Sequence, residues 1–237
     1  MIKTFTCSIG VMAYNEEANI ERAIKSALTQ TISDQIEIII VDDGSSDDTL
    51  DICKTMLKKH HRLNLIQSYT NKGYVTASMT GIAASQGKYF IRLDGDDIIY
   101  PKLAESLLNT AIRNNSEVVI GGYTKLYINN NTMKPIPEPL CIRDFIMCGN
   151  LISKKLFFKT GGLRNLYFEE YDLFLRLQEI TEFSWNKKAY YEYRIHNGSC
   201  CHQSDYWEKG IKELAKLWSQ KTLEKYGFTD LLTQDQE

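Results

Sequence analysis

Over its first hundred residues the chain alternates between two periodicities. Residues 6–14, TCSIGVMAY, read as a strand, and Ile20, Ala23, Ile24, Ala27 and Leu28 in residues 17–30 recur at the spacing of an amphipathic helix. Residues 36–41, IEIIIV, form a β-branched run with too little polarity for an edge, which predicts a central parallel strand buried on both faces. A helix carrying Leu50, Ile52, Cys53, Met56 and Leu57 follows, with Ser45 or Ser46 as its expected cap and Asp47 and Asp48 in its first turn. Strand LNLIQS (63–68), a helix over about 75–85 and strand KYFIRL (88–93) complete a βαβαβαβ order. That order predicts an α/β fold with a doubly wound, mostly parallel sheet and right-handed crossovers.

The second half is less regular. Pro101 stands where a helix through 114 would begin, carrying Leu103, Leu107, Leu108, Ala111 and Ile112. Residues 117–128, EVVIGGYTKLYI, predict a strand with a Gly-Gly break, and 129–139, with three of the four prolines and an Asn run, predict a loop. Helices over about 153–160 and 168–180 flank a Gly161-Gly162 turn, and FSWNKKAYYEYRIH predicts a hairpin. Residues 205–226 place Trp207, Ile211, Leu214, Leu217, Trp218 and Leu223 on one helical face, with Lys209, Lys212 and Lys216 largely opposite.

At 237 residues and 43% hydrophobic content the chain can build a real core. Lys+Arg 28 against Asp+Glu 30 gives a formal charge of -2 with the bases scattered, so no nucleic-acid footprint is present. Six cysteines show no CxxC pair and no zinc spacing with the histidines, and read as reduced thiols. The N-terminus reads as a first strand rather than a signal peptide, and no apolar run approaches the ~18 residues of a membrane span. The expectation is a cytoplasmic protein.

Polar clusters follow three of the expected strands: Tyr14-Asn15-Glu16-Glu17, Asp42-Asp43-Gly44-Ser45 and Asp94-Gly95-Asp96-Asp97. Each alone could be a helix cap or an Asx turn. Together they fall at the carboxyl ends of strands, where open parallel sheets bind ligands. No GxGxxG or GxxxxGK[ST] loop is present, so a phosphorylated ligand needs another counter-ion. Asp94 and Asp96, two apart in an extended segment, point the same way and can share a hard divalent cation bridging to a diphosphate. Gly95 permits a tight turn between them. A calcium-binding loop would need a glycine and a glutamate that are absent.

The stretches SIGVMAYNEEANIERAIKSALTQ, IEIIIVDDGSSDDT, NKG, GKYFIRLDGDD and FEEYDLFLRL resemble, in order and spacing, family 2 of the inverting glycosyltransferases, over roughly residues 5–200. The resemblance implies the Rossmann-like GT-A fold, with a nucleotide-sugar half (1–100), a smaller mixed acceptor half (101–204) and a C-terminal helix and tail (205–237). It implies transfer from a nucleotide diphosphate sugar, usually a UDP-sugar, with bound magnesium or manganese. By that resemblance Tyr14 stacks on the base, Asp42 and Asp43 contact base and ribose, and Glu16, Lys72 and Gly95 join the donor site. Asp94 and Asp96 form the DxD motif, Asp97 supports the loop or shares the metal, and His196 of YRIHNGSCC lies near the diphosphate or metal. The acceptor would be a glycan, glycoprotein or lipid-linked hydroxyl, and the transferred group a hexosyl or N-acetylhexosaminyl unit in polysaccharide biosynthesis.

In the helix over 168–180, Glu170, Leu173, Phe174 and Leu177 share a stripe, whereas Asp172 and Arg176 pair off it. The family usually has Glu-Asp where this chain has Glu169-Glu170; Glu170 is the expected general base, with Glu169 or Asp172 as alternatives. Ser78 and Met79 stand where the family often carries Arg-Asn, which loosens the expectation for the nucleobase. Rival readings are a non-catalytic nucleotide-sugar-binding scaffold and a sugar nucleotidyltransferase, the latter disfavoured by the acidic loop after the first strand. The Trp/Leu helix could rest peripherally on a membrane or pack on a second subunit of a homo-oligomer.

Overall fold

A computed structural model describes residues 5–138, 141–196 and 205–228. Strands β1 (Cys7–Ala13), β2 (Ile36–Asp42), β3 (Leu63–Gln67) and β4 (Tyr89–Asp94) pair in parallel in the order β3-β2-β1-β4. The helices between them are α1 (Ile20–Leu28), α2 (Thr49–Lys59) and α3 (Tyr74–Ala84). The apolar run of β2 is explained by two cores: Ile38 and Ile40 face α1 and α2, while Ile39 and Val41 face α3. Every residue of β1 and β2 is buried, as a strand covered on both faces requires.

The chain moves outward from β1 to β3 and returns to β4 on the other side of β1, so the order reverses between β1 and β4. Short β5 (Ile98–Ile99) and helix α4 (Leu103–Asn114) follow, and β6 (Val118–Tyr127) begins the second half. The sheet continues from β4 through β8 (Leu151–Ser153), β6 and β9 (Ser184–Ile195) to β5. β8 is antiparallel to both β4 and β6, which restores β6 and β9 to the direction of β4.

Several expectations change here. Residues 132–136 form strand β7 (Thr132–Ile136), antiparallel to β6, rather than loop. β7 is an exposed edge, the one sheet position where Pro135 costs no ladder bond. The expected hairpin across 183–196 is the single strand β9, parallel to β6 with register shifts around Gly121 and Gly122. Neither Ser45 nor Ser46 caps α2; Asp47 Oδ1 accepts from the Thr49 amide instead (3.0 Å).

Helices α5 (Lys154–Lys159) and α6 (Glu169–Gln178) cover the α3 face. The C-terminal helix is broken at Trp218 into α7 (Tyr206–Leu217) and α8 (Gln220–Lys225), with Ser219 as the N-cap of α8. Ile211, Leu214, Leu223 and Phe228 are buried with Phe168 and Tyr171 in one core, while Leu217 is exposed. Gly210 lies so close to Phe168 that a Cβ would meet the ring at 2.5 Å, which fixes how α7 sits on the start of α6. Among the described residues no helix is long and apolar enough to cross a membrane. The four described cysteines, Cys7, Cys53, Cys141 and Cys148, form no disulfide among the described residues, and Cys200 and Cys201 lie outside them.

Candidate active site

The loops after β1 and β2 are tied to each other. The amides of Asn15, Glu16 and Glu17 donate to Ser45 Oγ (3.0 Å), Thr49 Oγ1 (2.7 Å) and Asp47 Oδ2 (3.1 Å). In return the amides of Ser46 and Asp48 donate to Asn15 Oδ1 (2.8 Å) and Glu17 Oε2 (3.0 Å). Asn15 adopts a left-handed conformation, φ 54°, which asparagine tolerates. Tyr14, at the mouth, is 44% exposed and available for stacking.

Asp42 ends β2 and Asp43 follows it, both buried. Both Asp43 carboxylate oxygens lie 3.1 Å from the Lys72 amide, so Asp43 holds the loop of residues 70–73, and the Lys72 residue meets the site through its backbone. Gly44 makes this approach feasible: its φ is +74°, and a Cβ would meet the Thr70 carbonyl carbon at 2.5 Å. Asp42 Oδ1 is buried with no hydrogen-bond partner. Such a group costs on the order of 1–3 kcal/mol until a donor reaches it.

The carboxylates after β4 have three different environments. Asp97 is fully buried, accepting from Tyr191 Oη (2.5 Å) and the Arg194 amide (2.7 Å). Burial, then the charges of Asp96 and Asp94, push its pKa well up. Both Asp97 carboxylate oxygens are thus engaged within the protein, tying the loop after β4 to β9. Asp96 is partly exposed, with Oδ2 2.9 Å from His196 Nε2. Burial raises its pKa, and the Asp94 charge adds to the shift while His196 opposes it. Glu16 is half-buried beside this group, and burial likewise raises its pKa. A Cβ on Gly95 would meet the Met12 carbonyl oxygen at 2.9 Å, so this glycine makes room for the end of β1.

Asp94 does not turn toward Asp96 and His196. Arg92 engages it through Nε (2.7 Å) and Nη2 (3.2 Å) and reaches Glu169 Oε1 through Nη1 (3.3 Å). Among the described residues no three acidic, histidine or cysteine groups gather into a metal cluster, so the expected set Asp94, Asp96 and His196 is brought together only as the pair Asp96–His196.

Arg92 is the principal residue that pattern reading missed. It is 7% exposed, lies 5.7 Å from the Tyr74 ring centroid, and joins Asp94 to the start of α6. A signal existed, because Arg92 is two residues before Asp94 in a strand and so shares its face. Tyr74 Oη donates to Glu169 Oε2 (3.1 Å). Glu170 interacts with Glu169, and its Oε2 is buried without a hydrogen-bond partner. Burial, then the adjacent Glu169 charge, push the Glu170 pKa well up; burial raises Glu169 too, with Arg92 opposing. Of the two, Glu169 is the anchored member, held by Arg92 and Tyr74.

The remaining alternative, Asp172, has both carboxylate oxygens engaged. Contrary to the expected stripe, it is fully buried, held by Arg176 Nη2 (2.8 Å), Arg164 Nη1 (3.0 Å) and Trp218 Nε1 (3.0 Å). Met79 docks on the second half, its sulfur accepting from the Leu163 amide (3.4 Å), and Ser78 is buried in α3.

The site therefore gathers carboxylates from β2, β4 and α6 at the carboxyl ends of the strands, around the reversal point between β1 and β4. The family model for glycosyl transferase family 2 matches residues 8–174, and the chain belongs to that family. It is similar to chondroitin synthase of Escherichia coli, 30% identical over 238 residues that cover 94% of this chain and 34% of that protein. An uncharacterized glycosyltransferase of Haemophilus influenzae is 33% identical over 184 residues, 74% of this chain and 73% of that one. The crystal structure of S. aureus TarS 1-349 in complex with UDP-GlcNAc superposes with a TM-score of 0.75 at 17% identity, covering 96% of this chain and 72% of that chain. The fold is thus GT-A. The chain spans about a third of the chondroitin synthase it matches.

Proposed function

We propose that the chain transfers a sugar from a UDP-sugar to a hydroxyl of a glycan, glycoprotein or lipid-linked acceptor, inverting the anomeric carbon. One observation carries the reading: Glu170 presents a buried, unpartnered carboxylate oxygen and is joined through Glu169 and Arg92 to Asp94 across the two halves of the site. A base on one side and diphosphate-side carboxylates on the other suit an in-line displacement. The UDP-GlcNAc complex of TarS supports a UDP-sugar and a hexosyl or N-acetylhexosaminyl group, and chondroitin synthase supports a polysaccharide acceptor.

The Asp96–His196 pair fits a divalent cation. Its 2.9 Å separation is close to the ~3 Å between adjacent ligands of an octahedral ion bound at about 2.1 Å. The Asp96 carboxylate suits manganese or magnesium, the His196 imidazole favours manganese of the two, and a cation would offset the burial and the Asp94 charge that raise Asp96. When bound, the ion supplies charge stabilisation for the departing diphosphate. Asp42 Oδ1 can accept from the base or ribose, and Tyr14 can stack on the base.

In the reaction the acceptor oxygen attacks the anomeric carbon as Glu170 takes its proton, and the bond to the diphosphate breaks with the electron pair leaving on the nucleotide. Glu170 acts in its deprotonated form, while Arg92 and Tyr74 hold Glu169 in place. Calorimetric titration with UDP, GDP and CDP, each with manganese and then with EDTA, tests the donor site. UDP binding that EDTA abolishes is expected; binding of no nucleotide in manganese would remove the reading.

A further inference from the structure

Away from the crevice, a groove of about 560 Å³ runs between α4 and the first half of β9. One wall is a face of α4, where Ser106, Asn109 and Arg113 continue from Lys102 at three- and four-residue spacing. The other is β9, whose residues 184–190 have no outer strand among the described residues, because β5 pairs only with Tyr191 and Glu192. Asn186 ties the walls together: its Nδ2 donates to Ser106 Oγ (2.7 Å) and Thr110 Oγ1 (3.1 Å).

The charge of this groove departs from that of the molecule. The chain carries a net -2, yet Lys102, Arg113, Lys187 and Lys188 line the groove against the single carboxylate of Glu105. Glu105 is turned toward Thr31, whose hydroxyl it accepts at 2.8 Å. Lys187 is paired with Glu138 (2.7 Å). Lys102, Arg113 and Lys188 have no ion-pair partner among the described residues, and Lys188 lies 5.9 Å from the Tyr190 ring centroid. Unpaired cations interleaved with a carboxamide, a hydroxyl and an aromatic ring match a ligand with both anionic groups and many hydroxyls. From Lys102 to Arg113 the helix spans about 16 Å, room for several sugar units rather than one small ion.

The groove is connected to the site along the chain. Asp94–Asp97 lead directly into β5, the Tyr100 amide donates to the Tyr190 carbonyl (2.8 Å), and Lys102 follows two residues on. We infer that the α4–β9 groove is a secondary binding site for an acidic glycan, holding the body of a uronic-acid-bearing chain whose end reaches the crevice. The role as part of an acceptor track rests on the transferase reading; the binding of an acidic glycan does not.

The test is calorimetric titration of the purified chain with a uronic-acid-containing tetrasaccharide, maltotetraose and inorganic polyphosphate, at low and high salt, with UDP and manganese titrated in parallel. Binding of the acidic tetrasaccharide, none of maltotetraose, and weakening by salt are expected. The exposed-site variant Arg113→Glu with Lys188→Glu should weaken acidic-glycan binding about ten-fold or more, the effect of ~1.4 kcal/mol, and leave UDP binding unchanged. Absence of tetrasaccharide binding, equal binding by the variant, or equal binding of polyphosphate with the same sensitivity to the variant would overturn the assignment. UDP binding without tetrasaccharide binding removes the groove alone. Tetrasaccharide binding without UDP binding removes the donor reading and leaves the groove.

Discussion

At the scale of single residues, the acid pair at the start of α6 makes the sharpest predictions. Glu170→Gln keeps the shape of the side chain but removes its capacity to accept a proton, so turnover should fall about 10²- to 10⁴-fold while UDP affinity stays constant. Single-turnover kinetics with a parallel UDP titration checks this, and a loss of UDP affinity of the same size would move Glu170 into the donor site. Arg92→Met probes the connection between the halves. Arg92 opposes the upward shift of Glu169, so its loss should leave the pair holding its proton to higher pH. Because the base works deprotonated, the rising acid limb of the turnover profile should move to higher pH in Arg92→Met. An unmoved limb with uniformly reduced turnover would make Arg92 a packing residue only. The inward placement of Glu170 was legible from its helical stripe, whereas its electrostatic contact with Glu169 was not, because neighbours in a helix sequence do not announce that their carboxylates meet.

Among the elements, those with one clear periodicity were readable: β1, β2, β4, α1 and α4 lie within a few residues of their expected spans. The failures share a cause. β7 and β9 both pair with β6, and local propensity cannot show that partner: without it the proline-bearing β7 reads as loop and the single long β9 as a hairpin. Asp172 failed in the opposite direction. Its pairing with Arg176 was visible at i,i+4, but Arg164 and Trp218 come from elsewhere in the chain and convert an apparent surface pair into a buried hub. Asp172→Asn would leave Arg176 inside with its charge uncompensated, and should cost about 3–5 kcal/mol of stability. Urea denaturation measures it; a change within about 0.5 kcal/mol would show that the hub is solvated in solution.

For the whole molecule, the doubly wound half was predictable because its connections are short and its strands run in one direction. The second half was not, since β8 must enter antiparallel between β4 and β6 before the sheet can continue. That insertion brings β9 alongside β6, so that His196, just beyond its end, meets Asp96 a hundred residues away in sequence. The site thus depends on both halves at once, and a fragment ending at residue 100 would lack the acid pair, Tyr191 and His196.

The irregular register of β9 has a wider consequence. Twelve residues of β9 run alongside nine of β6, and the three without a rung in the ladder are Lys187, Lys188 and Tyr190. Each of them lines the groove beside α4. Residues the ladder does not need are free to drift, so related chains can exchange the chemistry of this surface, basic for neutral or long for short, without relaying the sheet or disturbing the carboxylates at its far end. Affinity for the body of a ligand and reactivity toward its tip would then be tuned by separate sets of changes in the gene.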